Sequence, residues 1–154
     1  MLFGRIIVSN NYVADKIKLI EVLTEYEFGD DNSHACLDDR GRIQFPDYRQ
    51  YPDAQPSRTI FIKENGEEFT KEEYQQDIEP DDIIIQPLTL DKISKEISPL
   101  ITEGVFEITA IWTDRNYGHF SNLKIHSTGK VELTSILKSQ DDDFYQSEVY
   151  LAPQ

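Results

Sequence analysis

His34 and Cys36 are the two side chains of this chain best placed by type and spacing to do chemistry together. In an extended segment, positions two apart put an imidazole and a thiol on one side of the backbone. That pair suits half of a zinc site or a Cys–His nucleophile. Neither reading gathers support. Zinc wants two further soft ligands, yet Cys36 is the single cysteine, and the other histidines, His119 and His126, lie far along the chain. The acids on either side, Asp30, Asp31, Asp38 and Asp39, disfavour the thiolate that a nucleophile needs. No metal, cofactor or catalytic residue is therefore assigned.

Other reaction signatures fail on spacing. Ser127-Thr-Gly-Lys130 ends like a phosphate-binding loop, but Val131 stands where a serine or threonine should hold magnesium, and Lys124 replaces the first glycine. It reads as a hairpin turn. A calcium loop starting at Asp30 and Asn32 meets Ala35 where glycine is obligatory. Neither a Gly-x-Ser-x-Gly elbow nor a His-Glu-x-x-His helix occurs.

Charge is the stronger signal. Among 154 residues, 29 acids against 15 bases give a net charge of -14. Such a surface repels nucleic-acid backbones and anionic membranes and attracts basic protein surfaces. The acids concentrate in one run: Glu64, Glu67, Glu68, Glu72, Glu73, Asp77, Glu79, Asp81 and Asp82, interrupted only by the base Lys71. Glu73 has a structural role as the far end of a capping box, and the others are the candidate partner-binding carboxylates. Near them, Tyr48, Arg49 and Tyr51 stand in a proline-stiffened loop and are residue types that anchor interfaces. The competing explanation is a solvated acidic face that serves solubility alone.

The elements that must position these residues read as α+β. The chain is one domain, 1–154, a mainly antiparallel sheet of about 5–7 strands with two main helices on one face and a C-terminal meander. Residues 104–114 supply the best strand, with Phe106, Ile108, Ala110 and Trp112 on one apolar face. Phe106 and Trp112 are expected in the core. A first strand fits 2–8 and a helix fits 11–25, capped by Ser9, Asn10 or Asn11, with a stripe at Val13, Ile17, Ile20 and Thr24.

Residues 29–58 read as a long irregular loop containing one short strand near 42–45. Asn65-Gly66 predicts a tight hairpin whose two central residues have positive φ. Thr70 and Glu73 predict a capping box, with Phe69 and Tyr74 as its staple, on a helix running from Lys71 to before Pro80. Ile83, Ile84 and Ile85 predict a strand buried on both faces. Thr89 caps a second helix carrying Leu90, Ile93, Ile97, Leu100 and Ile101, kinked at Pro99 and closed by Gly104. Strands near 119–126 and 131–137 complete the meander, and 139–154 is a polar tail with a short edge strand.

No apolar run approaches the roughly 20 residues that cross a bilayer. The N-terminus carries no basic leader, and one cysteine suits a reducing compartment, so a cytoplasmic protein is expected. The leading functional expectation is a non-enzymatic acidic protein that engages a basic protein partner, as an inhibitor or immunity-type protein does, with nucleic-acid mimicry by charge as one form. An adaptor or assembly subunit with incidental charge is the alternative. A small hydrolase using carboxylates or His34 and Cys36 comes third.

Overall fold

The computed structural model describes residues 3–29, 34–45, 51–70, 72–76, 78–141 and 143–153. Its centre is β8, Ile101–Asp114, which pairs antiparallel with β1, Phe3–Val8, on one side and with β9, Tyr117–His126, on the other. The meander continues through β10, Val131–Lys138, to β11, Asp143–Tyr150, while β2, Tyr12–Ala14, also pairs with β8. This large antiparallel sheet agrees with the α+β reading. The expected short C-terminal edge strand proves full-length, since β11 pairs with β10 from Lys138 to Val131.

Register explains the core. Phe106, Ile125 and Val131 sit side by side across three strands, and Ile108, Leu123 and Leu133 form the next row. All six are buried, and each such side chain contributes about 1.5–3 kcal/mol by leaving water. Helices α1, Lys16–Leu23, and α2, Leu90–Glu96, bring Leu19, Leu23, Leu90 and Ile93 into the same cluster. Tyr26 at the end of α1 donates its hydroxyl hydrogen to Glu96 of α2.

Several expectations are corrected. The first helix starts at Lys16, not 11, because Asp15 is its cap, accepting from the Lys18 N–H, while Tyr12–Ala14 is recruited by β8. Tyr12 is buried edge-on against Phe106, with ring centroids 4.9 Å apart. Val13 and Ile17 are consequently exposed, and Leu19 and Leu23 form the inward face. The Thr89 cap of α2 forms as expected, its hydroxyl accepting from the Lys92 N–H. Pro99 then sits in a 3-10 turn, Ser98–Leu100, but Ile101 already belongs to β8. Gly104 is thus inside that strand, at φ 84°, where a side chain would collide with the Asn11 carbonyl.

The described parts of 29–58 carry more strand than the prolines suggest. They contain β3, Glu27–Gly29, at the start, the small hairpin β4, Cys36–Leu37, with β5, Ile43–Gln44, and the first half of β6, Pro52–Ile62. Prolines are tolerated in β6 because the strand needs acceptors there: the Pro56 carbonyl accepts from the Leu88 N–H, and Pro52 meets Gly29 where the ladder shifts register. β6 is the middle of a second sheet, β3–β6–β7, with β7 running Asp82–Pro87.

β7 is the clearest reversal. Ile83, Ile84 and Ile85 are 57%, 44% and 64% exposed, because β7 is the outer strand of the small sheet and among the described residues no layer covers it. The hairpin before it forms, but not with the expected turn: Gly66 alone has positive φ, at 86°, and its N–H bonds to the Lys63 carbonyl. That is a three-residue loop with a glycine bulge. The capping box is made reciprocally by Thr70 and Glu73, and Phe69 packs on Tyr74, yet only a 3-10 turn, Glu73–Gln75, follows instead of a helix.

Candidate functional site

Two surfaces deserve the name of candidate site: a cleft where the two sheets meet, and the acidic end of the small sheet.

The cleft grows out of the core rows. Beyond Ile108, the next row of the large sheet is Ala110, Ser121 and Ser135, and the one after it is Trp112, His119 and Leu137. The core face becomes polar, then aromatic, as it leaves the cover of the helices. Ser121 is fully buried and its Oγ accepts from the Ala54 N–H at 2.8 Å, which pins β6 to β9. Past that pin the sheets part. The resulting space, about 520 Å³, is lined by Trp112, His119 and Leu137 of the large sheet and by residues of β3, β6 and β7. From the small sheet come Glu27, Asp53, Gln55 and Ile85, with Tyr51 just before β6. Trp112, expected in the core, is half-buried and walls this cleft, whereas Phe106 is wholly buried.

The aromatic wall is ordered. Tyr51 meets Trp112 edge-on, with ring centroids 5.0 Å apart and planes at 88°, and His119 lies 5.7 Å from Trp112 at 30°. His119 Nε2 is 2.9 Å from Ser135 Oγ, and Nδ1 is buried with no hydrogen-bond partner among the described residues. Burial holds the His119 pKa below its usual range, against a smaller opposing pull from Asp53. The ring is therefore neutral near pH 7. Gly29 lets β3 approach this wall; at φ 104°, a Cβ would run into the Tyr51 carbonyl.

Ser135 beside His119 has the spacing of a nucleophile and base, but catalysis asks for more. Nδ1 lacks the carboxylate hydrogen bond that orients such a base, and Ser135 is not among the residues lining the cleft. Ser121 with Lys124, Ser127 with Lys130, and Ser135 with Lys138 carry the Ser-x-x-Lys spacing used by some acyl-transfer enzymes. The first and third pairs lie in strands, where an odd separation sends the two side chains to opposite faces, and the second spans the turn between β9 and β10 rather than a helix.

The histidines do not converge. His119 faces the core side of β9, while His126 faces the other side and pairs with Glu132 at 2.7 Å. His126, by that hydrogen bond, lowers the Glu132 pKa. His34 is exposed, and Cys36 is half-buried in β4 with its Sγ 3.8 Å from Gln44 Nε2. Among the described residues no group of three or more His, Cys, Asp or Glu is gathered as a metal site would require. Nor is any described helix long and apolar enough to cross a membrane.

The acidic run gathers around one end of β6 and β7. Ile62 is bridged by Glu68 on one side and paired with Asp82 on the other, while the Asp81 N–H donates to its carbonyl. Two of the acids are neutralised: Glu68 by Arg58 at 3.1 Å and Glu73 by Lys63 at 2.7 Å. The Lys63 hydrogen bond is the main reason that Glu73 titrates below the usual carboxylate range. Glu64, Glu67, Glu72, Glu79, Asp81 and Asp82 are exposed and make no ion pair among the described residues. Tyr48, Arg49 and Asp77 lie outside the described residues. Tyr51 belongs to the cleft rather than to the acidic end.

No protein-family model, curated protein or solved structure matches the chain.

Proposed function

We propose that this is a non-enzymatic acidic binding protein that docks a basic protein surface on the acidic end of its small sheet. One observation carries the reading: six exposed carboxylates around one end of β6 make no ion pair among the described residues, and β7, paired to the same strand, exposes three consecutive isoleucines. Like charges gathered at one end repel one another, and a basic partner relieves that repulsion. Exposed isoleucine beside them supplies apolar area for contact, so charge steers the encounter and burial holds it. An inhibitor or immunity-type protein is the concrete form, with charge mimicry of a nucleic acid as one route to a basic partner. Within this reading the scaffold is the large sheet backed on its core face by both α1 and α2, whose inward leucines and isoleucine share a cluster with Phe106.

The alternative, an assembly subunit with incidental charge, draws on a different strand. β11 exposes Phe144, Tyr145 and Val149, followed by Leu151. Size-exclusion chromatography across a range of protein concentrations tests it; self-association that Tyr145→Ser and Val149→Ser abolish would favour it over the acidic partner surface.

The main reading is tested by capture from the native host's extract, with the wild type set beside a variant carrying Gln or Asn at Glu64, Glu67, Glu72, Glu79, Asp81 and Asp82. A basic protein held by the wild type at low salt, released as salt rises and not held by the variant is the expected result. Identical capture by both proteins contradicts it.

A further inference from the structure

We infer that the cleft between the two sheets is a binding site for a flat organic cation, a guanidinium group, received between the carboxylates of Glu27 and Asp53 and the rings of Tyr51 and Trp112. The inference stands apart from the docking surface above, since it uses none of the six acids proposed there to meet a partner.

The chemistry of the lining points to this ligand class. Among the contacts of the described residues, the Glu27 carboxylate accepts from the Thr59 hydroxyl, at 3.2 Å, and the Asp53 carboxylate from the Gln55 N–H, at 3.0 Å. Neither has an ion pair among the described residues. Among the described residues no lysine or arginine lines the cleft, and its one basic residue, His119, is kept neutral by burial. Two carboxylates thus line one partly enclosed space with no counter-charge among the described residues, a lining that favours a cation.

The aromatic wall narrows the choice. Guanidinium is planar, stacks on aromatic faces and presents a fork of donors to carboxylates, whereas ammonium is a compact, strongly hydrated point charge. A metal ion is poorly served by two carboxylates with no third ligand gathered beside them. The same acids repel a ligand that carries its own carboxylate nearby. The guanidinium therefore arrives on a small amine such as agmatine or on an arginine side chain within a polypeptide.

Trp112 is the protein's single tryptophan, so its emission reports directly on this cleft. The full chain is titrated with agmatine, N-acetyl-arginine amide, N-acetyl-lysine amide and the neutral isostere N-acetyl-citrulline amide, with calorimetry run in parallel. We expect saturable binding of the guanidinium compounds, at least tenfold weaker binding of the lysine compound, and none by citrulline. Asp53→Asn and Glu27→Gln should each weaken guanidinium binding about tenfold, a salt-bridge-sized loss, while thermal melting confirms that each variant folds. Tighter binding of agmatine identifies a small-molecule site, and tighter binding of the arginine amide identifies a side chain of a partner. Citrulline binding as well as arginine, or no saturable signal by either method, overturns the inference on the wild type alone. The variant lacking the six outer acids should bind guanidinium like the wild type, so failure of one proposal is separable from failure of the other.

Discussion

Strands β8 and β7 are both rich in isoleucine, and they meet opposite fates. β8 is flanked by β1 and β9, its inward side chains matched row by row, so Phe106 and Ile108 are wholly buried. β7 has one neighbour, β6, and its isoleucines stand in water. The difference is in what surrounds a strand, not in its composition. One sheet spends its apolar residues on stability, and the other leaves them available for contact. A free strand edge with exposed β-branched residues is ordinarily an association hazard, managed by charges placed beside it. Here Asp82 opens β7 and Asp81 stands just before it. Acids at that position deter a second, equally acidic copy and suit the basic partner proposed above.

Substitutions should separate the two sheets in order of effect. Phe106→Ala in the large sheet should cost roughly 3–5 kcal/mol in chemical denaturation, the usual penalty for emptying a buried aromatic site. Ser121→Ala should cost about 1–3 kcal/mol, because it leaves the buried Ala54 N–H without its acceptor. Its further consequence should be loosening of β6 against β9, read as faster amide exchange in β6 than in β10. By contrast, the double change Ile83→Thr with Ile85→Thr in β7 should shift stability by no more than about 0.5–1 kcal/mol. A loss as large as that of Phe106→Ala would show that β7 is covered after all.

A pH series gives the smallest shift and probes the seam between the sheets. The folded His119 has a pKa below its ordinary 6.5, so the unfolded chain takes up its proton first as pH falls. The effect is absent above that ordinary value and grows as pH drops below it, levelling off beneath the lowered folded value. Melting temperatures from pH 8 to pH 5.5 (roughly the histidine window) should therefore fall in the wild type more than in His119→Gln. Equal falls would place His119 in water rather than against Trp112.

Much of the large sheet was legible in the sequence, because alternation and tight turns are local signals. Phe106, Ile108 and Ala110 announce an inward face, and Ser127-Thr-Gly-Lys130 announces a turn. Burial of β7 was not legible. Three consecutive isoleucines fit a strand covered on both faces, but only the tertiary arrangement decides whether a cover exists. β6 was hidden by Pro52 and Pro56, which usually break strands yet here sit where a carbonyl is needed and a donor is not. The cleft was illegible for a different reason. Glu27, Tyr51, Asp53, Trp112 and His119 are scattered over the chain and meet only because β6 crosses the end of the large sheet. Tyr51 reads in the sequence as an anchor type, and nothing local points to its counterpart, Trp112.

The working surface proposed for this protein is the outer strand of the small sheet. The Leu88 N–H bonds to the Pro56 carbonyl, so by alternation Ile84 and Gln86 turn their backbone groups toward β6 while Ile83 and Ile85 turn theirs outward. Amide hydrogen exchange of those residues, measured with and without the basic protein retrieved by capture, reads that surface directly. Slower exchange at Ile83 and Ile85 on binding, with β11 unchanged, is the result this account predicts. Protection confined to β11, with Ile83 and Ile85 exchanging as fast as in the free protein, would contradict it.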